Sequence, residues 1–304
     1  MNSKEMRQKF LDFYKSKNHI ITPSASLIPK EDPTLLFVNS GMYPMVPYLL
    51  GQTHPEGKRI ANSQLCVRTI DIDEVGDNRH LSLFEMLGNW SLGDYFKAET
   101  IEWGMEFLTA KEWLGLDPNR LFVTVYRGKG EVAEDNEAIA AWQKAFKTVG
   151  MEADVADGHI FDKTKLQKDQ KFVARITKLP GSENWWGLPY KGPCGPDTEI
   201  FYLLQNNPIN FQETVLPNLN PAEVADFIEN QIVEIWNHVF MQYIGEWGEG
   251  KEPINLETLT QKNIDTGSGF ERLLMVINGY NNVHETDVLK PISDVASKWA
   301  NTKF

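Results

Sequence analysis

The chain has 304 residues and a formal net charge of −12. That length bounds one large or two medium domains, and 41% hydrophobic with 24% charged residues suits a globular protein with a sizeable core. The acidic balance excludes a protein that grips RNA over a broad basic surface, so any RNA contact is local or belongs to other domains. No apolar run approaches the ~20 residues of a membrane span. The N-terminus alternates charged and apolar groups and lacks a signal-peptide core. Cys66 and Cys194 form no CxxC pattern. A cytoplasmic protein with two free thiols is expected.

In chain order, residues 4–17 read as a helix, with Met6, Phe10, Phe13 and Tyr14 near helical spacing. Ser24 to Pro33 is loop-like, and LLFV (35–38) reads as a short buried strand. Asn62 to Lys97 suits a hairpin: Arg68 ends an apolar run, an acidic turn follows, and Phe84-Glu85 return on the second strand. Residues 99–114 fit a helix and LFVTVY (121–126) a strand. Residues 134–149 give the clearest helix, with Ile139, Trp142, Phe146 and Val149 on one face. Residues 155–180 suggest one or two β-hairpins, and 198–204 a strand. Within them the basic run Lys163 to Lys178 is either a solvated hairpin or an RNA-facing loop. Asn220-Pro221 is a helix start, whereas 234–244 fits helix or strand equally. Gly267 and Gly269 precede an apolar helix, 270–277. A last helix covers 286–299, with Val288, Ile292, Val295 and Trp299 on one side. Strands and helices do not alternate regularly. An α+β fold with a mostly antiparallel sheet flanked by helices fits better than a doubly wound parallel sheet.

Two nucleotide signatures are missing: there is no GxxxxGK[ST] and no GxGxxG after a strand. The histidines show no HxxxH spacing and no accompanying cysteine pair, so no zinc is expected. The hairpin offers another route to a nucleotide. A guanidinium can grip a phosphate bidentately, and an aromatic ring can stack on a base.

The hairpin resembles motif 2 of the class II aminoacyl-tRNA synthetases, and FEMLGNWSLGDYFK (84–97) resembles the alanyl-tRNA synthetase family in particular. Asn39-Ser40-Gly41-Met42 resembles that family's motif 1, with Ser40 where alanine is common, and IDTGSGFERL (264–273) resembles its motif 3. Asn184-Trp185-Trp186-Gly187 followed by GPCGPDTEIF (192–201) resembles a further family pair.

The resemblance implies a class II synthetase fold and activation of L-alanine by ATP. It implies Arg68 and Arg272 as catalytic groups. Arg68 would bind the α-phosphate, Phe84 would stack on adenine with Arg272 on its other face, and His80 and Glu85 would flank the nucleotide. Gly269 would let the backbone approach it. Met42, Trp186, Val239, Asp265 and Gly267 would form the alanine pocket, with Asp265 on the ammonium. Mg²⁺ would need carboxylates, and Glu199 and Glu234 are the candidates. The acceptor end of tRNA(Ala) is the implied partner.

The chain also departs from the family. Its loop TIDIDEVGDN (69–78) is shorter and lacks the usual lysine, and Leu65 stands where a basic residue is frequent. Within these 304 residues no counterpart of the family's editing and dimerising domains is expected. The expected organisation is a catalytic domain over 1–280, the start of a helical tRNA-recognition region over 281–304, and a monomer. Two alternatives stay open: a class II-like ligase that activates an amino acid for another carrier, and a non-catalytic nucleotide-binding paralogue.

Overall fold

The computed structural model describes residues 1–29, 35–158, 174–204, 220, 222–223, 231–248 and 252–302. Its helices are α1 (Ser3–Ser16), α2 (Val46–Leu49), α3 (Lys97–Thr109), α4 (Asn136–Thr148), α5 (Gly181–Asn184), α6 (Phe270–Ile277) and α7 (Lys290–Ala300). Its strands are β1 (Ile20–Ile21), β2 (Arg59–Val67), β3 (Leu83–Leu92), β4 (Leu121–Tyr126), β5 (Val155–Asp157), β6 (Ile176–Leu179), β7 (Trp185–Gly187), β8 (Gly192–Leu203), β9 (Ile232–Trp247) and β10 (Pro253–Gly269).

Among the described residues the strands form one sheet in the order β1-β2-β3-β10-β9-β8-β4-β6-β5, with β7 attached to β8. The long central strands pair antiparallel; β1–β2, β4–β6 and β5–β6 pair parallel. This is the expected α+β architecture.

The longer helices α1, α3, α4 and α6 pack into one core on one face, whereas α2 and α5 meet the other. Helix α1 starts at a capping box, Asn2 with Glu5, and buries Met6, Phe10, Phe13 and Tyr14. Phe10 and Phe107 of α3 pack edge-on to each other and near Trp236 of β9. Trp142 of α4 lies parallel to His238 and donates from its indole N–H to Thr198 Oγ1 at 2.8 Å. A side chain at Gly104 of α3 would put its Cβ 2.7 Å from His238 Cε1, so the bare backbone there lets the helix reach the sheet. Burial holds His238 neutral, its pKa lowered to about 3.

Several expectations change. LLFV (35–38) is not a strand: Val38 exchanges single backbone bonds with Leu27 and Val67, and Leu36 points to solvent. The 99–114 helix stops at Thr109, and a turn folds Trp113 edge-on against Phe13. Within 155–180 the described strands β5 and β6 run parallel, which no tight hairpin can connect. The basic run lies mostly outside the described residues. At its end Arg175 is buried against Asn119 O and Leu121 O, and Lys178 pairs with Glu134, so neither faces RNA. Asn220 caps the backbone of Ala222 and Glu223; Pro221 lies outside the described residues. The last helix begins at Lys290, and Ile292, Val295 and Trp299 are exposed rather than buried.

Candidate active site

A cleft opens on the sheet face opposite α1, α3 and α4, over β3, β10, β9 and β8. Strand alternation selects its lining. Phe84 and Met86 come from β3, Asp265, Gly267 and Gly269 from β10, Asn237 and Val239 from β9, and Glu199 from β8. Glu234 should point away from Asn237 by parity. A register shift between Ile200 and Phe201 of the β8–β9 pair restores it to the cleft. One row crosses four strands: Asp197 faces Val239, Val239 faces Asp265, and Asp265 faces Trp90.

One end of the cleft is small and apolar. Met42, Val239 and Trp90 are buried in one cluster, with Trp186 of β7 packed on it. Asp265 is the charged group here. Its Oδ1 accepts the Trp90 indole N–H at 2.5 Å, and burial raises its pKa to about 7 against the lowering effect of that bond. Glycine keeps the space open. A Cβ on Gly267 would stand 2.7 Å from Met86 Sδ, and one on Gly88 would stand 2.3 Å from the Trp90 ring.

The other end carries the cations. Arg68 follows β2 and donates from Nε to Asn39 O at 2.9 Å, which ties the NSGM segment to the hairpin. Its guanidinium carbon lies 5.2 Å from the centre of the Phe84 ring. Arg272, in the first turn of α6, donates to Glu234 O and Oε2, both at 3.0 Å. His80 lines the mouth and is held by Asp77 at 2.6 Å.

The structure thus brings Met42, Arg68, His80, Phe84, Trp186, Glu199, Glu234, Val239, Asp265, Gly267, Gly269 and Arg272 into one cleft. Glu85 is the correction. As the next residue after Phe84 it points to the opposite face, where Arg7 of α1 grips it at 2.6 and 2.7 Å and Ser63 donates to it. It does not line the cleft.

Sequence reasoning missed Asn237, Met86 and Glu271. The first two lie two residues from chosen ones, Val239 and Phe84, and follow from alternation once the strands are known. Glu271 is almost fully buried; its carboxylate accepts from Glu85 N, and burial raises its pKa to about 7. No pattern in the sequence marks it.

Among the described residues no cluster of three or more His, Cys, Asp or Glu could hold a metal ion. The pair Glu199 and Glu234 still suits Mg²⁺, which commonly takes one or two carboxylates and completes its shell with water and substrate phosphates. Burial raises the Glu199 pKa well above its usual value, and Glu234 and Asp197 add to the shift. Arg272 already pairs with Glu234 at 3.0 Å and partly offsets the shift of Glu199.

An arginine and an aromatic ring on an antiparallel hairpin, beside a glycine-rich strand running into a helix, form a cleft on the class II synthetase architecture. A family model described as tRNA synthetases class II (A) matches residues 5–304, and the chain belongs to that family. It is similar to alanine–tRNA ligase of Treponema pallidum, 41% identical over 95% of this chain and 41% of that protein. The alanine–tRNA ligase of Rubrobacter xylanophilus is also 41% identical, over 98% of this chain and 30% of that protein. The chain spans less than half the length of these relatives.

Proposed function

We propose that this chain is the alanine-activating catalytic domain, spanning 1–280, followed by the start of a helical region. It joins L-alanine to ATP and passes the alanyl group to the 3′ end of tRNA(Ala). The observation that carries this reading is the row Val239–Asp265 beside Met42 and Trp186: a buried carboxylate next to an apolar wall, which suits an ammonium and a small apolar side chain.

In this reading the alanine ammonium sits on Asp265 and its methyl against Val239. A carboxylate oxygen attacks the α-phosphorus of ATP. The new bond gives alanyl-adenylate, and the bond to the β-phosphate breaks to release pyrophosphate. Arg68 neutralises charge gathering on the α-phosphate oxygens, and Phe84 and Arg272 hold the adenine. His80 steadies the nucleotide at the mouth. Mg²⁺ held by Glu199 and Glu234 would neutralise the phosphates. The remaining contribution is positioning, which turns a bimolecular attack into a near-unimolecular one. Among the described residues no helix is long and apolar enough to cross a membrane. A cytoplasmic monomer fits the reading.

ATP–pyrophosphate exchange across alanine, serine, glycine and proline tests it. Exchange led by alanine is expected. A folded protein that binds ATP and exchanges with none of them overturns it in favour of a nucleotide-binding module. Charging of tRNA(Ala) then separates a synthetase from a ligase for another carrier.

A further inference from the structure

Asp197 has no part in the chemistry above, yet it is 2% exposed and lies in the row beside Val239. Its carboxylate sits between two side-chain amides. Asn184 Nδ2 donates to Oδ1 at 2.9 Å, and Asn237 Nδ2 donates to Oδ2 at 3.1 Å. The Asn184 amide also donates to Thr124 Oγ1 at 2.7 Å, which anchors the assembly to β4. In its ionised form Asp197 only accepts, so it decides which end of each amide turns towards it. Asn237 therefore gives its nitrogen to Asp197. Its Oδ1 is buried with no protein partner, on a residue that lines the cleft with Val239 and Asp265. A buried acceptor in that state is unfavourable until a donor meets it. An amino-acid ammonium brings three N–H donors, and Asp265 cannot engage them all.

We propose that Asp197 is a positioning residue for amino-acid binding. It locks the Asn237 amide with its oxygen towards the ammonium, so that Asn237 and Asp265 meet that group together. The proposal rests on the alanine site described above. In Asp197→Asn the new amide can offer its own N–H to Asn237 Oδ1. The Asn237 nitrogen then turns to the ammonium, and two donors oppose each other.

The test is pyrophosphate exchange by the full chain carrying Asp197→Asn, Asn237→Ala or both. The expected result is a rise of about tenfold in the alanine KM of Asp197→Asn, the scale of one charge-assisted hydrogen bond. The ATP KM stays unchanged. Inhibition by L-alaninol, which keeps the ammonium and lacks the carboxylate, weakens by the same factor. Asp197→Asn adds nothing in the Asn237→Ala background, because it acts through that side chain. An equal rise in the ATP KM, unaltered alaninol inhibition, or additive losses in the double variant would overturn the proposal. Should Asp197→Asn not fold, Asp197→Ser serves, since its hydroxyl is too short to reach both amides and the same alanine-specific loss is expected. Wild-type protein that exchanges without preference for alanine overturns the alanine site, and the proposal with it. Alanine exchange in the wild type with an additive double variant overturns the proposal alone.

Discussion

The Trp90 indole N–H points at Asp265 Oδ1 across the β3–β10 pair, 2.5 Å away, and both side chains are buried. The tryptophan holds the carboxylate in the pocket but does not neutralise it. Burial leaves Asp265 with a pKa of about 7, so near neutrality much of it is protonated while the site is empty.

Alanine binding should therefore be pH-dependent. An ammonium needs the carboxylate form, so binding expels a proton whenever Asp265 is protonated. Below about pH 7 the alanine KM should rise towards tenfold per pH unit, and above it should level off. Asp265→Asn should remove that dependence and weaken alanine by roughly 10–100-fold, as expected for loss of a charged hydrogen bond. Exchange kinetics from pH 5.5 to 8 check both.

Stability of the unliganded protein should also depend on pH in an uncommon direction. Asp197, Asp265 and Glu271 have pKa values raised to about 7, and burial raises that of Glu199 well above its usual value. The folded chain therefore holds protons that the unfolded chain has lost above about pH 4. Stability from these groups is lost as pH rises through their folded pKa values. His238 and His19, lowered to about 3 and about 4, act in the opposite sense below about pH 6.5. The thermal midpoint should climb as pH falls from 8 to 6.5 and go on climbing towards pH 5, because four raised carboxyl groups outweigh two lowered histidines. Differential scanning calorimetry without ligands reads this; a midpoint that falls steadily from pH 8 to 6.5 contradicts it.

Arg68→Ala should abolish exchange without unfolding the protein. Arg68 is partly exposed, and its side chain donates to the Asn39 carbonyl. Losing a donor that meets developing charge typically lowers kcat by about 10²–10³-fold. A comparable loss in the thermal midpoint instead would make it a structural residue.

Gly88→Ala should damage the pocket from outside it. The added Cβ would stand 2.3 Å from the Trp90 ring, so the indole must move and its N–H leaves Asp265. Overpacking of this kind costs about 1–3 kcal/mol. Denaturant melts should show that loss, and the alanine KM should rise with it while the ATP KM holds.

Much of this site was legible because motif residues recur at strand spacing. Asp265, Gly267 and Gly269 share a face once their segment is known to be a strand. Glu85 went astray because a motif lists neighbours in sequence, and a strand sends neighbours to opposite faces. The segment 234–244 stayed ambiguous because Ile235, Trp236, Val239 and Phe240 are all buried, and a strand buried on both faces has no polar alternation to mark it. Glu234 reaches the cleft through a register shift, which depends on the partner strand and leaves no local mark. The last helix showed its apolar row in sequence, but periodicity says nothing about whether that row meets a partner.

The row from Asp197 to Trp90 works as a gauge. Its marks are side chains on adjacent strands, set ~4.8 Å apart by the backbone ladder rather than by loops. The floor of the pocket cannot widen by loop movement, because that means parting strands in the middle of a ten-stranded sheet, whereas Met42 and Trp186 stand on segments outside that central ladder. Selectivity in this chain is therefore changed by swapping a side chain at one of the marks, and the spacing between them is inherited with the fold.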